Sequence, residues 1–129
     1  MLNDPIANAM SKILNAEKLG RHSCLIKPSS KLLRELFRIM QENGFLGEFK
    51  EVSSVRGGII EVQLNGKINR CGVIKPHYSA KMDSFEEFEK RYLPAKNFGI
   101  IIVSTNQGIM TQEDAIKIRS GGILLSYCY

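Results

Sequence analysis

Apolar residues recur along this chain at two periods, and the changes between them mark out its elements. Ile6, Met10, Ile13 and Leu14 return at helical spacing and give one apolar face, with Lys12, Lys18 and Arg21 lying off it. Asp4 can cap this helix, Pro5 sits where a first-turn proline is tolerated, and Gly20 ends it. "HSCLIKP" reads as a short strand stopped by Pro28. Ser29 or Ser30 opens a second helix whose stripe is Leu32, Leu33, Leu36, Phe37 and Met40. Lys31, Arg34 and Arg38 fall outside that stripe, and Gly44 closes the helix. Two strands follow, "FLGEFKEV" and "IIEVQL", joined by "SSVRGG". In the second, Ile60, Val62 and Leu64 alternate with Glu61 and Gln63, the period of a half-buried strand.

The turn signal "NGK" places a boundary at about residue 66. Beyond it, "INRCGVIKP" predicts a strand ended by Pro76, and residues 77–83 read as a loop. Ser84 with Glu87 makes a capping box for the helix "FEEFEKRYL", which Pro94 ends. "FGIIIVS" is continuously apolar, as expected of a central strand covered on both faces. Thr111 with Asp114 makes a second capping box, opening "QEDAIKIR"; "SGG" breaks that helix, and "ILLSYCY" is a closing strand. The pattern predicts an α+β protein of two small α/β domains. Residues 1–66 form an α-β-α-β-β unit, and residues 67–129 a mainly antiparallel sheet with short helices.

Charge adds one constraint. The chain has 129 residues, with 18 basic against 13 acidic and a net charge of +5. The excess is spread over both halves, so no basic arm stands out. Such a balance favours a polyanion partner or simply solubility. Cys24, Cys71 and Cys128 are odd in number, far apart and lack a C-x-x-C spacing. They read as reduced thiols, neither a disulfide framework nor a zinc site. With no signal peptide, and no apolar run long enough to span a bilayer, the expectation is a soluble cytoplasmic protein with no membrane contact.

Candidate chemistry is sparse. His22 lies two residues from Cys24, so a strand would turn both to one side, an arrangement that can activate a thiol. A small core thiol beside a surface imidazole is the simpler account. Asp83, Glu86, Glu87 and Glu89 fit a solvated helix face better than a metal site. Gly57-Gly58 and Gly121-Gly122 match no phosphate-loop spacing. The aromatic residues are scattered and form no stacking platform for single-stranded RNA. The expectation is a protein with no catalytic residues, no metal and no cofactor.

What remains is "VSTNQGIM". After pure hydrocarbon, Ser104, Thr105, Asn106, Gln107 and Gly108 offer hydroxyls, amides and a glycine without one charge. Such groups suit the shallow minor groove of an RNA helix, with charge supplied from the rim. They also suit a plain connector between a strand and the Thr111-capped helix. From spacing alone, the connector is the simpler account.

"VSTNQGIMTQEDA" resembles the signature of the small-subunit ribosomal protein eight family, in which a Gly-Gly follows before the last strand, here Gly121-Gly122. "DPIANAMSKILNA", "KPSSKLLRELFRIMQENGFLGEF", "GKINRCGVIKP" and "EKRYLPAKNFGI" are similar to other segments of that family, the last two to its archaeal and eukaryotic branch. The resemblance implies a non-enzymatic protein that binds the central domain of small-subunit rRNA directly and supports subunit assembly. It implies RNA contacts at Ser104, Thr105, Asn106, Gln107 and Gly108, with Gly121 and Gly122 alongside, and further contacts at Lys31, Asn8, Lys12 and Lys27. It also implies neighbouring small-subunit proteins as partners, protein five among them, and its own mRNA as a second RNA target. Asn106-Gln107 replaces a pair that often carries a cation in bacterial members, and Ile123 stands apolar after the Gly-Gly where a charged residue is common.

Overall fold

The computed structural model describes residues 5–27, 30–53, 58–74, 79–95 and 98–129. Helices α1 (Pro5–Lys18) and α2 (Lys31–Glu42) form where the helical period places them. Ser30 caps α2, its hydroxyl accepting the Leu33 N–H at 3.1 Å. The buried side chains of α2 are Leu33, Leu36, Phe37, Ile39 and Met40. Leu32, expected inside, is exposed, and Ile39 occupies the stripe instead. Both helices lie against an antiparallel sheet of β1 (Ser23–Ile26), β2 (Leu46–Ser53) and β3 (Ile59–Leu64), with β3 in the middle. Asp4, Pro28, Ser29, Gly57 and Pro76, which the sequence assigns to caps and turns, lie outside the described residues.

The second sheet contains β4 (Cys71–Val73), β5 (Ser79–Ala80), β6 (Ile100–Thr105), β7 (Gly108–Thr111) and β8 (Gly122–Cys128), with α3 (Phe85–Tyr92) and α4 (Gln112–Lys117) between strands. Its order is β4-β8-β6-β7, β5 pairing with the other end of β8, and every pairing is antiparallel. As its unbroken apolar run predicts, β6 is buried on both faces. Ile100 and Ile102 join the larger apolar cluster, which also holds Met10, Ile13, Phe37 and Val62. Ile101 and Val103 join a second cluster with Phe85, Leu93 and Ala115. The strand carrying the candidate loop is thereby clamped between two cores.

Three expectations are corrected. The segment read as a loop over 77–83 contains β5, a strand too short to show a period, followed by a single turn of 3-10 helix at Met82–Ser84. Ser84 precedes α3 but makes no side-chain cap bond, because that turn already leads the backbone into the helix. The polar stretch is no strand-to-helix connector: Ser104 and Thr105 end β6, and Gly108 opens a further strand, β7.

Candidate nucleic-acid interface

Val103 to Met110 is a β-hairpin. Ser104 pairs with Ile109 and Thr105 with Gly108, which leaves Asn106 and Gln107 as a two-residue turn. Gly108 has φ +119°, a region that side chains rarely enter. The Thr105 hydroxyl locks the turn: it accepts the Gln107 N–H at 3.1 Å and donates to the Gly108 carbonyl at 2.8 Å. Its proton is committed inside the hairpin. What the tip turns to solvent is the exposed, uncharged pair Asn106 and Gln107, together with Gly108.

Gly121 and Gly122 face this hairpin for a reason internal to the protein. A Cβ on Gly121 would stand 2.5 Å from the Ala80 carbonyl oxygen, and one on Gly122 would collide with the Ser104 carbonyl oxygen and lie 2.7 Å from Val103 Cγ1. Only bare backbone lets β8 fit between β5 and β6 here. The result is an open cleft of about 590 Å³. Ser104, Thr105 and Asn106 line one side, and Gly121, Gly122 and Ile123 the other, with Ser79 and Ala80 from β5. The structure thus brings together two motifs that the sequence holds apart.

It also supplies the rim charge that no motif predicted. Lys81 and Arg119 line the same cleft. Arg119 stands at an unusual place. After each of α1, α2 and α4 the chain closes with the same pair of backbone bonds: Gly20 and Arg21 to Glu17 and Ala16, Gly44 and Phe45 to Gln41 and Met40, Arg119 and Ser120 to Ile116 and Ala115. The left-handed residue is Gly20 at φ +72° and Gly44 at φ +82°, but at the third site it is Arg119 at φ +56°. A cation where a helix end calls for glycine is the signal that sequence reading passed over.

The remaining candidates lie elsewhere. Asn8 is half-buried on α1; Lys12, Lys27 and Lys31 are exposed, and none of the four lines the cleft. On α2, Arg34 pairs with Glu51 at 3.2 Å, and Arg38 with Glu35 and Glu42, both at 2.8 Å. Among the described residues Lys31 makes no ion pair, so its charge at the start of α2 is open to an outside anion.

Thiol and metal chemistry gain no support. Burial pushes the Cys24 pKa up, outweighing the lowering pull of Lys12 and Arg21, so its thiol is not activated. His22 precedes β1 rather than lying in it. Among the described residues no three His, Cys, Asp or Glu side chains gather as a metal site, and no helix there is long and apolar enough to cross a membrane. Compared with known families, residues 4–129 match the family model described as Ribosomal protein S8.

Proposed function

The chain belongs to the ribosomal protein S8 family, and from that premise we propose that the cleft between the β6–β7 hairpin and Gly121-Gly122 grips a stem in the central domain of small-subunit rRNA. As a member, the chain is a structural protein of the small ribosomal subunit that binds rRNA, with rRNA and other ribosomal proteins as partners. The observation that carries the finer assignment is the composition of the cleft. Neutral hydrogen-bonding groups project from a hairpin braced by two cores, and Lys81 and Arg119 stand beside them. A rigid uncharged probe reads groove shape and 2′-hydroxyls, while cations hold phosphates. Asn8, Lys27 and Lys31 fit a second, weaker contact. A role in subunit assembly, contact with protein five and binding of its own message belong to the same proposal.

The test is binding of a central-domain stem transcript over a salt series. Asn106→Ala and Gln107→Ala should each weaken binding by about 1 kcal/mol, the size of one lost hydrogen bond, without changing the salt slope. Lys81→Ala and Arg119→Ala should weaken binding and each lower the salt slope by about 1. Full-strength binding by a folded variant carrying all four changes refutes the assignment.

A further inference from the structure

A second groove runs between α1 and β1, on the opposite half of the chain from the hairpin. Lys12, Asn15, Ala16 and Leu19 line it from the helix side, and Ser23, Cys24 and Leu25 from the strand side, with Arg21 between them. Its volume is about 510 Å³.

β1 is an edge strand, paired only with β3 among the described strands. The Leu64 N–H donates to the His22 carbonyl at 2.8 Å, which fixes the hydrogen-bonding phase of the ladder. Counting by twos, Cys24 with Val62 and Ile26 with Ile60 exchange backbone bonds. Ser23 and Leu25 therefore turn their N–H and C=O groups outward, away from β3. Among the described residues the Leu25 carbonyl meets the Cys24 thiol, at 4.0 Å, and the Ser23 and Leu25 N–H groups have no partner.

The other edges are guarded. β2 carries register shifts at both ends and the Arg34–Glu51 ion pair. β4 and β5 are only three and two residues long. β7 lies beside α2. Bulges, charges, shortness and cover are the usual protections of a sheet edge. β1 has an unbroken register and an exposed leucine instead.

We infer that β1 takes an added strand from another protein of the small subunit: an extended segment alternating apolar and acidic side chains, seated between α1 and β1. The outward amides of Ser23 and Leu25 match the two-residue repeat of such a strand. Leu19 and Leu25, 69% and 55% exposed, are covered by its apolar residues. Lys12 and Arg21 make no ion pair among the described residues and meet its carboxylates. The exposed leucines favour protein over RNA, because a phosphate backbone brings no apolar surface to cover them. On this reading Lys12 contacts a protein, not rRNA.

The inference rests on residence in the small subunit, which is measured separately. Purified small subunits are prepared from cells whose chain carries p-benzoylphenylalanine in place of Leu25. Co-sedimentation reports the family role; the crosslink reports the groove. The expected product joins position 25 to a protein segment that contains an acidic residue, and Lys12→Glu with Arg21→Glu cuts its yield at least tenfold while co-sedimentation holds. Exchange of the Ser23 and Leu25 amides should also be slower in the subunit than in the free protein. A crosslink to rRNA, to a second copy of this chain, or to nothing in a chain that co-sediments overturns the proposal.

Discussion

Arg119 occupies a backbone region that costs a side-chain-bearing residue about 1 kcal/mol relative to glycine. The two sister helix ends avoid that cost with Gly20 and Gly44; under the proposed function, the phosphate contact of the Arg119 side chain offsets it. Arg119→Gly should therefore raise folding stability by about 1 kcal/mol while weakening rRNA binding and lowering its salt slope. Thermal melts and stem binding on one preparation check both; a variant that is more stable and binds at full strength refutes the argument. Thr105 gives the converse case. Thr105→Ala removes both hydroxyl bonds across the turn and should lower stability by about 1 kcal/mol along with binding, whereas Thr105→Ser should keep both.

At the scale of elements, the hairpin is held at its root by α4. β7 ends at Thr111, yet the ladder does not: the buried Gln112 side chain accepts the Ile101 N–H at 2.8 Å, one step beyond the last strand pair. Thr111 starts the helix there, its hydroxyl accepting the Asp114 N–H at 3.3 Å. Gln112→Leu leaves that buried N–H unpaired and should cost about 1–3 kcal/mol, with faster exchange of the Ile101 amide as its local signature. These elements also mark what the sequence discloses. α1, α2, the Thr111 cap and the two-faced burial of β6 are legible because their signals are local. β5 is too short to show a period, and β7 is hidden because only Ile109 and Met110 stand between the loop-like Ser-Thr-Asn-Gln-Gly and the Thr111 cap. The polar half of the cleft follows from two motifs. Its cations do not, since Lys81 and Arg119 meet the hairpin only through the strand order of the sheet.

For the whole molecule, the decisive contact joins the two halves. The division at about residue 66 is proposed as one into units that share a core, for the larger apolar cluster draws on both sides of it. Cys71 and Cys128 sit at this seam as direct cross-strand partners of β4 and β8. The Cys71 thiol donates to the Met10 carbonyl of α1 at 3.5 Å. Burial pushes the Cys71 pKa up to about 12, with Glu17 adding to the effect, and burial followed by the neighbouring Cys71 pushes Cys128 up as well. A pKa raised on folding means that the neutral thiol is favoured in the folded state. The stabilisation is fully present below the ordinary thiol value of 9.0 and is lost as pH climbs from there through the folded value. Between about pH 9 and about pH 12 stability should therefore fall as Cys71 ionises, by roughly 1 kcal/mol per pH unit, with Cys128 acting in the same direction. Cys128→Val is apolar, somewhat larger, and cannot ionise, and it also relieves Cys71 of a like charge. Its denaturation midpoint should therefore fall less than that of the unsubstituted chain between about pH 8 and about pH 11. Equal losses in the two proteins would show that other groups govern alkaline unfolding and that the seam plays no part in it.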